Sequence, residues 1–181
     1  MAFSLKNTIN RYGLIAITFH WIMAIIIIGL LIIGLLMVPL PIGLKKLKWY
    51  GWHKEFGILI LMLLAFRLAW VVYNINPRLP DALPWWQKWA AHTVHYAFYG
   101  LMFILPVTGW MISSSAGLPV SFFGLFTLPD LVVPNEANRL LLTEIHKWLS
   151  YALIAALLGH IGAALQHHFI NKDDILRRML P

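Results

Sequence analysis

One stretch, residues 143–172, is apolar over a length that can cross a lipid bilayer and carries histidines along it. His146 lies near its start and His160 lies within it, fourteen residues further on. In an α-helix this separation corresponds to about 21 Å along the axis and about −40° of net rotation. Both imidazoles therefore leave one face of one helix at different membrane depths, and two ring-bearing redox cofactors could stack along such a helix.

Three other apolar runs precede this stretch, and each approaches or exceeds the ~20 residues that cross a bilayer. The predicted spans are residues 13–38, 53–73, 90–113 and 146–171. Only 12% of the residues are charged, whereas a soluble domain averages about a quarter. The sequence therefore predicts an all-α membrane protein, a single domain over residues 1–181 that forms a four-transmembrane-helix bundle.

The segments around these spans also carry expectations. The basic N-terminus resembles a signal peptide, but the run without charged residues at 12–44 is too long for one, which predicts an uncleaved first span. Residues 43–55 are predicted to form a basic connection whose tryptophans anchor it at the membrane interface. Residues 114–142 form the longest predicted loop, which could cover the membrane surface, with a short helix at 135–144 leading into the fourth span.

The cysteine count and the charge pattern exclude several classes of protein. The chain has no cysteine, which excludes disulfides, thiolate metal sites, iron–sulfur clusters and covalently attached haem. The net charge is +7, but the basic residues flank apolar runs instead of forming one face of a soluble module. That pattern indicates contact with the lipid membrane and argues against nucleic-acid binding.

An even number of spans places both chain termini on one side of the membrane. Lysine and arginine number eight on that side and six on the other, which favours cytoplasmic termini by a small margin. The eight are Lys6, Arg11, Arg67, Arg78, Lys88, Lys172, Arg177 and Arg178, and the six are Lys45, Lys46, Lys48, Lys54, Arg139 and Lys147.

Four of the eight histidines form two pairs by depth. With the termini inside, His20 and His160 fall in the inner half of the membrane, and His53 and His146 fall at its outer edge. Small residues flank these four at i±4 or alongside, where a porphyrin would need room; they are Ala16, Ala24, Gly57, Ser150, Ala156, Gly159, Gly162 and Ala164. Taken singly, each histidine is more often an interfacial or hydrogen-bonded residue. The pairing favours haem ligation.

The remaining histidines and Arg67 have weaker assignments. His92 and His95 have Tyr96 and Tyr99, respectively, at i+4. These bulky neighbours favour a role beside haem propionates or at the membrane interface over iron ligation. Arg67 follows His53 by fourteen residues, so it projects from nearly the same face at about the depth of the inner pair. It either pairs with a haem propionate or reaches the interface with its long side chain.

His167 returns to nearly the face of His160 at the inner boundary, seven residues later. It could donate to a quinone carbonyl or relay a proton, and the alternative is that His167 and His168 simply flank the membrane.

Several short motifs together cover nearly the whole chain. They are FHW at His20, H-x-x-x-G at His53, A-H-x-x-H followed by LPVTGW, F-G-L and N-E-A-N in the long loop, and H-x13-H followed by QHHF and LRRMLP. The set resembles the bacterial di-haem cytochrome b561 family, whose characterised activity is superoxide:ubiquinone oxidoreductase, also called superoxide oxidase.

The resemblance implies a four-helix bundle in the bacterial inner membrane that encloses two haem b groups. His53 and His146 would ligate the outer haem iron, His20 and His160 would ligate the inner haem iron, and His167 would belong to a ubiquinone site. Lys45, Lys46, Lys48 and Lys54 would make an electropositive outer mouth that attracts superoxide. Bis-histidine ligation leaves no open iron position, which suits outer-sphere electron transfer.

Two other classes remain open at this point. A b-type haem membrane subunit would relay electrons between a dehydrogenase or hydrogenase partner protein and quinone, using a similar helix plan. A divalent metal transporter would line a path with histidines, but all seven carboxylates lie near or beyond the span ends, so no deep carboxylate is present to bind a cation.

Overall fold

The computed structural model describes residues 4–80 and 83–180, so the extreme ends of the predicted domain and residues 81–82 lie outside the described residues. Among these residues, four long helices are each apolar enough to cross a membrane. They are α1 (Leu14–Met37), α2 (Leu44–Tyr73), α3 (Trp85–Ser115) and α4 (Glu136–Gln166). The four-helix membrane bundle predicted from the sequence is therefore confirmed.

Two helices begin well before the predicted spans. The chain is already helical at Leu44, so most of the segment read as a connection forms the first turns of α2. Likewise, the short helix expected at 135–144 is continuous with α4. Asn135 caps this helix, because its side-chain oxygen accepts a hydrogen bond of 3.0 Å from the backbone N–H of Asn138.

The connection between α3 and α4 folds against α2. It contains the antiparallel strands β1 (Val120–Phe122) and β2 (Phe126–Leu128). The turn between them has positive φ at Phe123 (48°) and Gly124 (71°), a conformation that a bulky side chain rarely adopts. Phe123 packs edge-on against Phe56 of α2 at 5.3 Å, and Lys54 donates to the carbonyl of Pro119 at 2.9 Å. The predicted loop is thus a folded hairpin over the start of α2.

Hydrogen bonds join both termini to the α2–α3 connection. The Asn7 side chain donates to Ile75 O at 2.8 Å, and the backbone N–H of Arg78 donates to Ile9 O at 2.9 Å. The Arg178 guanidinium donates to Arg78 O at 2.7 Å. We call this end of the bundle the terminal end, and the opposite end, with the α1–α2 connection and the hairpin, the loop end.

The helices pack most closely in sequence order, α1 on α2, α2 on α3 and α3 on α4. A buried cluster of Met23, Ile60, Leu64 and Met102 joins the first three helices at mid-height. In α4, every residue of which is described, Leu153 alone is buried. Much of the outer apolar surface is exposed and suits contact with lipid chains, and the close packing is concentrated in the middle of the bundle.

Candidate functional site

His53 of α2 and His146 of α4 face each other near the loop end, with ring centres 6.3 Å apart. Two imidazoles that bind one metal ion from opposite sides have ring centres about 6 Å apart, because each metal–nitrogen bond is about 2 Å long. The separation is too large for a direct hydrogen bond between the rings. The pair therefore has the spacing that an axially ligated iron requires.

The His146 ring is oriented by Thr108 of α3. The Thr108 hydroxyl donates to Leu105 O at 2.9 Å, and Nδ1 of His146 lies 2.9 Å from the same hydroxyl oxygen. Since the only hydroxyl proton is used, Nδ1 of His146 must donate, which leaves Nε2 free as a ligand. A Cβ at Gly109 would lie 3.5 Å from Cε1 of His146, which is an ordinary van der Waals contact.

The His53 ring lies against α1 in a similar manner. A Cβ on Gly34 would come within 3.3 Å of Cε1 of His53, so this glycine leaves little spare room beside the ring. Nδ1 of His53 is buried and makes no hydrogen bond within the described part of the chain. The two rings of the loop-end pair are thus supported unequally, with a hydroxyl partner for His146 alone.

A second pair lies nearer the terminal end. His20 of α1 and His160 of α4 have ring centres 6.2 Å apart. His95 of α3 also approaches His160, at 6.0 Å, and Phe98 touches the same ring edge-on at 5.3 Å. Distance alone therefore allows two partners for His160. The two differ in surface exposure, since His20 is half-buried whereas His95 is exposed.

Arg67 lies close enough to His20, His95 and His160 for its charge to act on all three. Its side chain is half-buried, and no carboxylate in residues 4–80 or 83–180 forms an ion pair with it. Burial raises the pKa of nearby Tyr12, just before α1, and Arg67 opposes that rise. A half-buried cation in a poorly solvated region favours an anionic partner such as a haem propionate.

The paired histidines come from helices that are not closely packed. His20 and His160 join α1 to α4, and His53 and His146 join α2 to α4, whereas the tight backbone contacts are between consecutive helices. Ala156 and Ala164 are half-buried on the His160 side of α4, while Gly159 and Gly162 are more exposed. Space between helices, paired imidazoles and small neighbours together fit a macrocycle with two axial ligands at each level.

An apolar layer separates the two histidine levels. Leu153 is 4% exposed and lies midway between His146 and His160 in α4. Ile60 and Leu64 occupy the corresponding part of α2, and each is 2% exposed. The described residues contain no cluster of three or more His, Cys, Asp or Glu side chains that could hold a metal ion. The arrangement is one of paired imidazoles separated by hydrocarbon.

The four lysines proposed to attract an anion do not form one uniform patch. Lys46 donates to Val38 O and Leu40 O at 3.1 and 2.8 Å, and Lys54 bonds to the hairpin as described. Lys45 and Lys48 are exposed and lie over the rings of Trp49 and Trp52. All four are at the loop end, with Lys45 and Lys48 the most accessible.

His167 lies at the far end of α4, where the helix becomes a π-helical turn, His167–Asn171. Its Nδ1 is 2.5 Å from Oδ2 of Asp173. The partner of His167 and the positions of Thr108, Gly34 and Gly109 beside the histidine rings were not predicted from the sequence. Thr108 and Gly109 belong to the LPVTGW motif, which contributed to the family resemblance but did not show that these residues contact His146.

The sequence is similar to known proteins along almost its entire length. Residues 11–181 match the model of the family described as prokaryotic cytochrome b561. Cytochrome b561 homolog 2 of Escherichia coli (strain K12) is 38% identical over 186 residues, covering 98% of this chain and 95% of the relative. Cytochrome b561 homolog 1 of the same organism is 33% identical over 176 residues, covering 95% and 98%.

A third relative has a name that states an activity. The probable superoxide oxidase CybB of Yersinia pestis is 31% identical over 184 residues, covering 95% of this chain and 97% of that protein. The family model and the three relatives agree with the four-helix membrane plan. The chain is therefore a haem b-binding membrane protein of redox electron transfer and belongs to the prokaryotic cytochrome b561 family.

Proposed function

We propose that the protein oxidises superoxide at the loop end and reduces ubiquinone at the terminal end. The observation that carries the proposal is that α4 contributes one histidine to each of two pairs, His53–His146 and His20–His160, at two levels of one bundle. Exposed lysines lie beyond the first pair, and the hydrogen-bonded His167 lies beyond the second. The name of the Yersinia pestis relative supports superoxide as the electron donor.

Each histidine pair is assigned one haem b, with His53 and His146 as outer ligands and His20 and His160 as inner ligands. Haem b held by these residues would supply one-electron transfer. Arg67 would neutralise a propionate at the inner level. Thr108 would fix the tautomer and the orientation of His146, as outer partners of metal-binding histidines commonly do.

The chain's own charges organise the two ends of the reaction. Lys45 and Lys48 would raise the local concentration of superoxide, assisted by the fixed charges of Lys46 and Lys54. Two superoxide anions give two dioxygen molecules and two electrons. Ubiquinone takes those two electrons and two protons to form ubiquinol, and His167 would hold its carbonyl. The small excess of basic residues at the terminal end supports cytoplasmic termini in a bacterial inner membrane.

A visible spectrum and a coupled assay test the proposal. We expect the purified, dithionite-reduced protein to contain two haem b per chain. A steady source of superoxide should then reduce a soluble ubiquinone analogue, and added superoxide dismutase should abolish that reduction. If no haem b is present, both redox interpretations are wrong. If quinone is reduced only when a dehydrogenase or hydrogenase copurifies, the protein is a relay subunit.

A further inference from the structure

The end of α4 folds back so that an acidic side chain reaches His167. Lys172 has a left-handed backbone conformation, with φ of 55°, and it reverses the chain directly after the π-helical turn. The backbone N–H of Asp173 then donates to His167 O at 3.2 Å. Oδ1 of Asp173 accepts from the backbone N–H of Ile175 at 3.1 Å, which leaves Oδ2 directed at the imidazole.

The pairing fixes which ring nitrogen faces the substrate. An ionised carboxylate only accepts hydrogen bonds, so Nδ1 of His167 carries the proton in its 2.5 Å contact with Asp173. Nε2 is the nitrogen that remains to meet a quinone carbonyl. The side chain of His167 is 15% exposed and that of Asp173 is 26% exposed. The carboxylate therefore reaches water more readily than the imidazole.

We propose that Asp173 is the positioning residue of a proton relay through His167 in quinone reduction, because its carboxylate orients and stabilises the protonated imidazole. This inference rests on the proposed function. Ubiquinone gains two electrons, and each of the two protons it needs leaves Nε2 of a protonated His167 for a quinone oxygen. Water on the terminal side returns each proton to Nε2, while the Asp173 carboxylate keeps its hydrogen bond from Nδ1–H and stabilises the protonated ring. The imidazole and the carboxylate end the cycle as they began it.

Water has a route to this segment from the terminal end. An open cavity of about 370 Å³ lies between the N-terminal segment and the C-terminal tail. Its lining residues are Asn10, Arg11, Asp174, Arg177 and Arg178. Asp174, next to Asp173 in the chain, forms an ion pair with Arg178 at 2.9 Å. The cavity therefore opens the segment that follows Asp173 to solvent.

The neighbouring His168 provides a contrast. Its Nδ1 is buried and has no hydrogen-bond partner among the described residues, and its ring packs edge-on against Phe169 at 4.7 Å. Of two adjacent histidines at the same membrane boundary, one has an acidic partner and the other has an aromatic one. The structure thus supports a proton-transfer role for His167 and a packing role for His168.

The test follows reoxidation of the prereduced haem protein by a ubiquinone analogue in stopped flow. We expect Asp173→Asn to slow reoxidation at saturating quinone by about 10²-fold, at the lower end of what general acid–base catalysis contributes. The KM for quinone and its affinity for the oxidised protein, measured by calorimetry, should stay within about twofold of the wild type. Asp173→Glu should retain most of the rate. Small weak acids in the buffer should partly restore Asp173→Asn, because they can replace a missing proton carrier.

Asp174→Asn is the matched control and should reoxidise at the wild-type rate. If Asp173→Asn also does so, or if it raises the KM and does not respond to weak acids, the relay is wrong and Asp173 has only a structural role. If Asp173→Asn fails to accumulate, Asp173→Ser is subjected to the same measurements with the same criteria. If wild-type protein is reduced by superoxide but not reoxidised by quinone, the quinone half of the proposed function is wrong and the relay is rejected with it.

Discussion

The hydroxyl of Thr108 lies 2.9 Å from Nδ1 of His146 while it donates to Leu105 O. This contact joins α3 to α4 through a single buried side chain, which is 7% exposed. His53, on the opposite side of the same pair, has no such partner for its Nδ1. Within the loop-end pair, the hydroxyl contact is therefore made to His146.

Replacing Thr108 with valine should raise the midpoint potential of the haem assigned to this pair. A hydrogen bond from Nδ1–H increases imidazole basicity and so stabilises ferric iron. A hydrogen bond worth about 1 kcal/mol corresponds to a few tens of millivolts in a one-electron couple. Redox titration measures the shift. Thr108→Ser should keep the wild-type midpoint potential. Thr143 is an exposed threonine whose hydroxyl donates to Arg139 O, and Thr143→Val should leave the potential unchanged.

Replacing Gly34 with alanine should weaken haem retention at the loop-end pair. The added Cβ would lie 3.3 Å from Cε1 of His53, which would have to move by a few tenths of an ångström. Gly109→Ala should be milder, because its Cβ would lie at an ordinary 3.5 Å from His146. Gly29→Ala is the control, since nothing lies within 4 Å of its Cβ position. Pyridine haemochrome content per chain gives the ranking, and equal retention in all three variants would contradict it.

Replacing Lys45 and Lys48 together with glutamate should slow haem reduction by superoxide about tenfold at low ionic strength. Both lysines are exposed, so the change alters the local field without breaking the carbonyl contacts of Lys46 and Lys54. The salt dependence of the rate should become shallow or reverse its sign. Lys6→Glu, at the terminal end, is the control. Unchanged rate and salt dependence in the double variant would exclude steering by these two lysines.

Replacing His20 with glutamine should remove the haem assigned to the terminal-end pair, whereas His95→Gln should retain it. His20 and His95 lie at almost equal distances from His160, at 6.2 and 6.0 Å, but His20 is the half-buried one. Haem stoichiometry and the low-spin signals in electron paramagnetic resonance spectra distinguish the two. Loss of the haem in His95→Gln with retention in His20→Gln would reassign the ligand to α3.

Much of the fold could be predicted because a bilayer imposes its thickness on the sequence. The lengths of the apolar runs identified the four helices but underestimated the lengths of α2 and α4. The first turns of these two helices depend on polar residues and on capping residues such as Asn135. The length of an apolar run carries no information about such local hydrogen bonds. The hairpin at 120–128 was missed because its strands are three residues long and depend on contacts with Phe56 and Lys54.

The histidine pairs could be proposed from depth, since helical rise converts sequence separation into height. The structure brings His53 near His146 and His20 near His160, and their ligation of haem remains a prediction. Thr108 could not be found in this way, because its partner lies on another helix at a position set by packing. The role of Asp173 could not be predicted from the sequence either, because its contact with His167 requires the chain reversal at Lys172.

The hydrocarbon layer around Leu153 also has an electrical consequence. Under the proposed function, electrons that move from the His53–His146 level to the His20–His160 level would cross much of the insulating part of the bilayer. Moving one elementary charge across the full bilayer against a voltage of about 100 mV costs about 2.3 kcal/mol. With cytoplasmic termini, each electron moves toward the negative side of an energised membrane, so turnover would charge that membrane and would slow as the voltage rises.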